Sequence, residues 1–270
     1  MSRIMAHMVA YYPDRDRSLA VAEGLVDGGA SYLEIQFPFS DPTADGPAIQ
    51  EASQRALDAG FTVRGGFDLL REIAALIARR SGTGRGGTDA AGAAARKVPI
   101  FLMTYASLVY ARGVDRFIAD GVDAGATGFI LPDLPFDHDE GAAAAARVHG
   151  ASVMPVTVTS APQARLDALL SHHPEYVYVA LRRGITGSRT DLDDATLGVL
   201  DRIRSTGTKV MAGFGVSDRV QVESLDPHVH AVVVGSALVR TVASVADASA
   251  PTIRTAVAER VGRLAGEPAG

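Results

Sequence analysis

Short, continuously apolar runs alternate with Ala-, Leu- and Arg-rich amphipathic stretches along the whole chain. The apolar runs cover residues 4–10, 32–37, 98–103, 128–131, 152–157, 176–180, 209–212 and 231–234, and each ends near Gly, Pro, Asp or Ser. They lack the polar alternation of a half-exposed strand, so they predict parallel strands buried on both faces. The amphipathic stretches predict helices over 18–27, 67–79, 114–123, 139–148, 162–171, 192–204, 218–223 and 252–265. Strands alternating with helices make βαβ units. Eight such strands in 270 residues predict an α/β chain folded as a single (β/α)8 TIM barrel over residues 1–270, since an open parallel sheet of that width would be unusually extended.

One segment, 81–97, breaks the rhythm. It is Gly/Ala-rich without an apolar period and reads as a flexible insertion between a helix and the third strand, on the face of a barrel away from the chemistry. It contains Gly82-Thr83-Gly84-Arg85-Gly86-Gly87, formally GxGxxG. A dinucleotide fingerprint must follow a strand and open a helix. This one follows a helix, so it carries no cofactor reading.

Composition narrows the chemistry. The chain has no cysteine, which excludes disulfides, thiolate metal sites and thiol nucleophiles. Its formal charge is −5, which supplies no bulk attraction for nucleic acid or anionic lipid. The N-terminal run is short and followed by charges, and no apolar run reaches the roughly 18 residues of a membrane span. The expectation is a cytoplasmic protein with no nucleic-acid or membrane partner.

In a barrel the loops after the strands form the active face. Glu34 lies inside the second apolar run. Burying an ionised carboxylate costs several kcal/mol, so Glu34 is either a paired core residue or an acid/base catalyst. Asp41 and Asp45 follow in a Pro- and Gly-punctuated loop, where at least one of them is a turn former. Asp133, in Leu-Pro-Asp-Leu-Pro, reads first as a structural residue that bonds a backbone turn or pairs with a neighbouring loop, and second as catalytic. The loop 182–191 is long, polar and glycine-punctuated, the composition of a lid. Gly213-Phe214-Gly215-Val216-Ser217 and Gly235-Ser236-Ala237 follow the last two strands. With Gly187 they suggest a phosphate cradle where barrels commonly place one. Tyr176 and Tyr178 share one strand face and read as packing residues. His172-His173 reads as a helix end, and His228 and His230 lack a third ligand, so no metal is indicated.

These residues together resemble a known family. Tyr32-Leu33-Glu34, Pro38-Phe39-Ser40-Asp41-Pro42 and Ala44-Asp45-Gly46-Pro47-Ala48-Ile49-Gln50 are similar to the signature of the tryptophan synthase alpha chain. Tyr178, Gly184-Ile185-Thr186-Gly187 and the two later glycine loops match in the right order. The resemblance implies a barrel lyase that cleaves indole-3-glycerol phosphate to indole and glyceraldehyde 3-phosphate in tryptophan biosynthesis. It implies Glu34 as proton shuttle, Asp45 at the indole N–H and Tyr178 near the reacting carbon. It implies phosphate held by Gly187, Gly215, Gly235 and Ser236 with Phe214 near it, and a lid containing Arg182, Gly184 and Thr186. It implies no cofactor on this chain, since pyridoxal phosphate belongs to a partner beta chain in an alpha2beta2 assembly.

The chain departs from the family in places. The first strand starts almost at Met1, without the family's usual extra N-terminal helix. Tyr11-Tyr12-Pro13 stands where Gly-Asp-Pro is usual, Gln36 replaces a small residue, and Ser107 stands where Asn is common. These changes leave open a stand-alone lyase that releases free indole. A catalytically silent barrel that binds phosphometabolites and regulates a partner is a further alternative, disfavoured by the presence of both Glu34 and Asp45.

Overall fold

Nine parallel strands run in the order β5-β4-β3-β2-β1-β9-β8-β7-β6 in a computed structural model that describes residues 1–82, 98–181, 193–213 and 215–266. The strands are β1 (Ile4–Val9), β2 (Tyr32–Gln36), β3 (Ile100–Met103), β4 (Gly128–Ile130), β5 (Ser152–Met154), β6 (Val156–Val158), β7 (Tyr176–Ala180), β8 (Lys209–Gly213) and β9 (Ala231–Val234). The predicted strand over 152–157 is split at Pro155, which has no N–H to give to a ladder. Its first half pairs with β4 and its second with β7, and the Pro155 carbonyl accepts from the Tyr178 N–H at 2.9 Å. The sheet thereby curls round into a nearly closed barrel.

The helices pack outside: α1 (Arg15–Asp27), α2 (Pro47–Asp58), α3 (Val63–Gly82), α4 (Ala106–Arg112), α5 (Val114–Asp123), α6 (Ala142–Val148), α7 (Gln163–Ser171), α8 (Asp194–Ser205), α9 (Arg219–Leu225), α10 (Ser236–Ser244) and α11 (Ala250–Ala265). Local chemistry fixes their starts. Asp14 caps α1 through the Arg17 N–H, and Asp218 and Gln221 form a reciprocal capping box on α9. The helices α2, α4 and α10 are additional to those predicted. The buried face of α2 is Ala52, Ser53 and Ala56, too small to register as a hydrophobic stripe, and α4 has only seven residues. The expected insertion over 81–97 needs one correction: α3 continues through Gly82, because its helical ladder outlasts its apolar pattern. The rest of that segment lies outside the described residues.

Two cores result from the period-2 alternation of the strands. Outward-facing Val, Ile, Leu and Ala pack under the helices. The barrel interior holds Met5, Tyr32, Phe101, Met103, Tyr105, Ile130, Met154, Met211, Ala231 and Val233. Methionine's unbranched thioether fills the irregular space between the aromatic rings. At the strand N-termini Tyr176 meets Tyr32 and Phe101 edge-on while Tyr32 and Phe101 are tilted, with centroids 5.4–6.3 Å apart. His230 accepts or donates at the Tyr32 hydroxyl at 2.7 Å. These rings fill the floor of the barrel.

Burial, and then the Arg3 and Lys209 charges, push the His230 imidazole down to about 4. His230 is therefore neutral in the fold at pH values where the unfolded chain, with an ordinary value near 6.5, is already protonated. Its contribution to stability is present above about 6.5 and is lost as pH falls toward about 4. Thermal or urea unfolding across this window is expected to show a loss of about 1–2 kcal/mol, allowing for partial solvent access, that H230Q removes. A pH dependence identical in H230Q would refute this assignment.

Candidate active site

The strand register places the chemistry. In the β1–β2 ladder His7 lies opposite Glu34 and Val9 opposite Gln36. Tyr32, Glu34 and Gln36 alternate onto the inner face of β2, Tyr32 at the floor and the other two above it. Glu34 is 4% exposed and His7 3%, so both are inside the protein. They line a cavity of about 140 Å³ together with Asp45, Tyr178, Gly215, Gly235 and Ser236, and with apolar Ile49, Met103, Ile130, Val156 and Val233. Apolar walls around a few convergent polar groups are the usual make-up of a small-molecule site.

Asp45 reaches the cavity from the loop after β2 and is held by two donors. The Gln36 side-chain amide donates to its Oδ2 at 2.7 Å and the Tyr105 hydroxyl donates to the same oxygen at 2.9 Å. Tyr105 is itself fixed: its oxygen accepts from the Ala44 N–H at 3.1 Å and its ring stacks on Phe39 at 5.3 Å. Burial raises the Asp45 carboxyl above its ordinary range, against the opposing pull of His7, Gln36 and Tyr105. Burial, and then the Asp45 charge, raise Tyr105 further out of reach of ionisation. The Tyr178 hydroxyl is raised well above its usual value by burial and by the Glu34 and Asp45 charges. It is therefore protonated near neutral pH.

Glu34 faces His7, with the imidazole Nδ1 3.5 Å from Oε2. That separation is at the outer limit of a hydrogen bond, so the contact is chiefly electrostatic. Burial opposes charge on His7, but the Glu34 carboxylate, and secondarily Asp45, outweigh it and raise the imidazole above its usual 6.5. The His7 Nε2, Glu34 Oε2 and Gln36 Oε1 atoms are buried without hydrogen-bond partners. Such atoms cost about 1–3 kcal/mol each.

The wall that follows β8 and β9 is built from glycines. Gly213 lets β8 approach β9, since a Cβ there would sit 2.3 Å from the Val233 carbonyl oxygen. Gly215 has φ +81°, the left-handed region that other residues avoid. Gly235 precedes α10, and Ser236 is the first helical residue. The first N–H groups of a helix have no intrahelical partners, and its dipole favours an anion there.

Of the residues singled out by sequence, Glu34, Asp45, Tyr178, Gly215, Gly235 and Ser236 share this one cavity. Arg182, Gly184, Thr186, Gly187 and Phe214 lie outside the described residues. Asp133 accepts from the Ala106 N–H at 3.0 Å and caps α4, the structural alternative of its two readings. Asp41 is exposed and accepts from the Ser40 hydroxyl at 2.6 Å. His228 pairs with Asp201 while His230 meets Tyr32. Among the described residues no group of three or more His, Asp or Glu could hold a metal ion. Sequence reasoning missed His7 and Tyr105 and gave Gln36 no role. The alternation from Met5 to His7 on an inward strand face was the available signal.

The family model described as "Tryptophan synthase alpha chain" matches residues 2–78 and 88–265. A "Tryptophan synthase alpha chain" from Helicobacter hepaticus is 34% identical over 248 residues, covering 92% of this chain and 88% of that one. One from Methanosarcina acetivorans is 32% identical over 240 residues, covering 88% and 80%. Among solved structures, the tryptophan synthase A-subunit of Pyrococcus furiosus superposes with a TM-score of 0.79 at 30% identity, covering 97% of each chain. A Mycobacterium tuberculosis tryptophan synthase chain superposes with a TM-score of 0.80 at 28% identity, covering 98% of this chain and 91% of that one.

Proposed function

The chain belongs to the tryptophan synthase alpha chain family, and we propose that its cavity performs that family's lyase reaction with Glu34 and Asp45 as the two working carboxyl groups. The reaction cleaves indole-3-glycerol phosphate into indole and glyceraldehyde 3-phosphate, a step of tryptophan biosynthesis. The observation that carries the assignment of residues is the convergence of both carboxyl groups on one cavity that is also lined by the glycine at the entrance to α10.

The substrate spans that cavity, with its indole between the carboxyl groups and its phosphate at Gly215, Gly235 and Ser236. Glu34 protonates indole C3, and the ring becomes a cationic indolenine. Asp45, held by Gln36 and Tyr105, accepts the ring N–H and stabilises the positive charge that develops there. The side-chain hydroxyl next to C3 loses its proton, the bond between C3 and that carbon breaks, and its electrons return to the ring. Indole and the aldehyde leave. A carboxyl group held against the substrate can donate a proton in one step and accept one in a later step. Tyr178, protonated throughout, borders the reacting carbon.

The family also supports a beta chain as partner, and we place this chain in an alpha2beta2 assembly in which the partner holds pyridoxal phosphate and this chain holds no cofactor. No helix among the described residues is long and apolar enough to cross a membrane, which accords with a cytoplasmic enzyme. The test is indole release from indole-3-glycerol phosphate by the purified chain, with and without a tryptophan synthase beta chain. Turnover that rises on adding the beta chain, with co-elution of the two, supports the assembly. Equal rates and no co-elution would assign a stand-alone lyase, and no indole under either condition would reject the reaction.

A further inference from the structure

His7 sits between the two ends of the site. On one side its Nδ1 faces Glu34 at 3.5 Å. On the other, a Cβ placed on Gly235 would lie 3.7 Å from the His7 Cβ and Cγ. The substrate's glycerol chain has to run from the acid at indole C3 to the phosphate at Gly235 and Ser236. His7 lines the stretch of cavity between those two ends. Its Nε2 is buried, lines no protein partner, and belongs to a side chain that is 97% removed from solvent. An imidazole nitrogen in that position is either a sustained energetic cost or half of a hydrogen bond that the substrate completes.

We propose that His7 is a catalytic base of this site, accepting through Nε2 the proton of the substrate hydroxyl next to indole C3 while Glu34 donates to C3. The inference rests on the lyase reading above and adds a second proton-handling group to it. A single carboxyl group otherwise has to give a proton at one atom and take one at another in the same cleavage.

The proton count closes. In the reacting form Glu34 is protonated and His7 is neutral. Glu34 transfers its proton to C3. The hydroxyl proton passes to His7 Nε2 as the C–C bond breaks, leaving a carboxylate facing an imidazolium. That pair is what the fold accommodates, since the Glu34 charge favours a protonated His7. Transfer from Nδ1 to Glu34 then restores a protonated carboxyl group and a neutral imidazole. No external oxidant or reductant enters. The other titratable groups lining the same cavity among the described residues are Asp45 and Tyr178. From β9 and the start of α10 come only Val233, Gly235 and Ser236, which carry no charge. The charge state of His7 is therefore set by its burial and by the Glu34 charge beside it, with Asp45 as a secondary influence.

The test replaces His7 by phenylalanine, which keeps a planar ring, and by glutamine, which keeps a hydrogen bond but cannot take up a proton. Indole release is measured from pH 5 to 10, with glyceraldehyde 3-phosphate binding measured by calorimetry on each variant. The expected result is a fall in kcat of about 10²-fold in both, with KM and glyceraldehyde 3-phosphate affinity within a few-fold of the parent. The pH–rate limb belonging to the His7–Glu34 pair is expected to move in both. If the phenylalanine variant fails to fold, the glutamine variant decides alone. Unchanged kcat and an unmoved pH profile in a folded variant would overturn the proposal. Loss confined to KM would overturn it in favour of a purely binding role. Failure of the underlying lyase reading is distinguishable, because the parent itself would then release no indole.

Discussion

Replacing Glu34 by glutamine is expected to abolish indole release while leaving phosphate-ligand binding within a few-fold. Glutamine matches the shape of Glu34, so the inner face of β2 and the packing around Tyr32 and Phe101 stay as they are. It has no proton to give to carbon and cannot become an anion. The site then retains Asp45, the anion wall and the apolar enclosure but lacks the group that starts the cleavage. Removing a positioned general acid costs 10²–10⁴ in rate, and here the later proton uptake is lost too, so a fall of about 10³-fold or more is expected. Single-turnover measurement of indole, alongside calorimetric binding of glyceraldehyde 3-phosphate, separates chemistry from binding. A variant that keeps more than about a tenth of the parent's turnover would show that proton transfer at C3 comes from elsewhere. Glu34 is 4% exposed and opens onto the cavity rather than onto bulk water.

Glu34 was legible in the sequence because a carboxylate inside an apolar strand has to be accounted for, and the strand itself was legible from its unbroken hydrophobicity. Parallel barrel strands, buried on both faces, advertise themselves in this way, and the observed β1, β2, β7, β8 and β9 start at the residues where their apolar runs begin. What hid from the sequence was whatever depends on register. His7 lies in a run of buried residues, where a lone histidine reads as packing. Only its pairing opposite Glu34 turns it toward the cavity. Tyr105 follows β3, some sixty residues after Asp45, and their 2.9 Å contact exists only because β2 and β3 are neighbours in the barrel. The same contact separates Asp45 from Asp41, which the loop composition could not do. The short helices were hidden for a different reason. The buried face of α2 is made of Ala and Ser, and its start is set by Gly46 and Pro47 rather than by an apolar stripe.

Asp45→Asn is expected to lower kcat/KM by about 10²–10³-fold, comparable to the loss of one preorganised electrostatic stabiliser. The cause is more than a missing charge. Gln36 and Tyr105 both donate to Asp45 Oδ2, so the carboxylate is held by donors on one oxygen and presents the remainder of its charge to the ring N–H. An amide can satisfy the two donors with its oxygen, but it then turns an NH2 donor toward another donor. Repulsion replaces attraction at the atom where positive charge develops. Tyr105→Phe separates these contributions. It removes one donor that favours ionised Asp45, in a site where burial already raises that carboxyl group. Its pKa therefore rises further. The reactive carboxylate is present above the pKa and lost as pH falls through it, so the acid limb of the pH–rate profile moves to higher pH in the Tyr105 variant. On the alkaline side of that limb, turnover stays within a few-fold of the parent. An acid limb that does not move, with turnover reduced equally at every pH, would mean that Tyr105 acts by packing against Phe39 and not by setting the charge on Asp45.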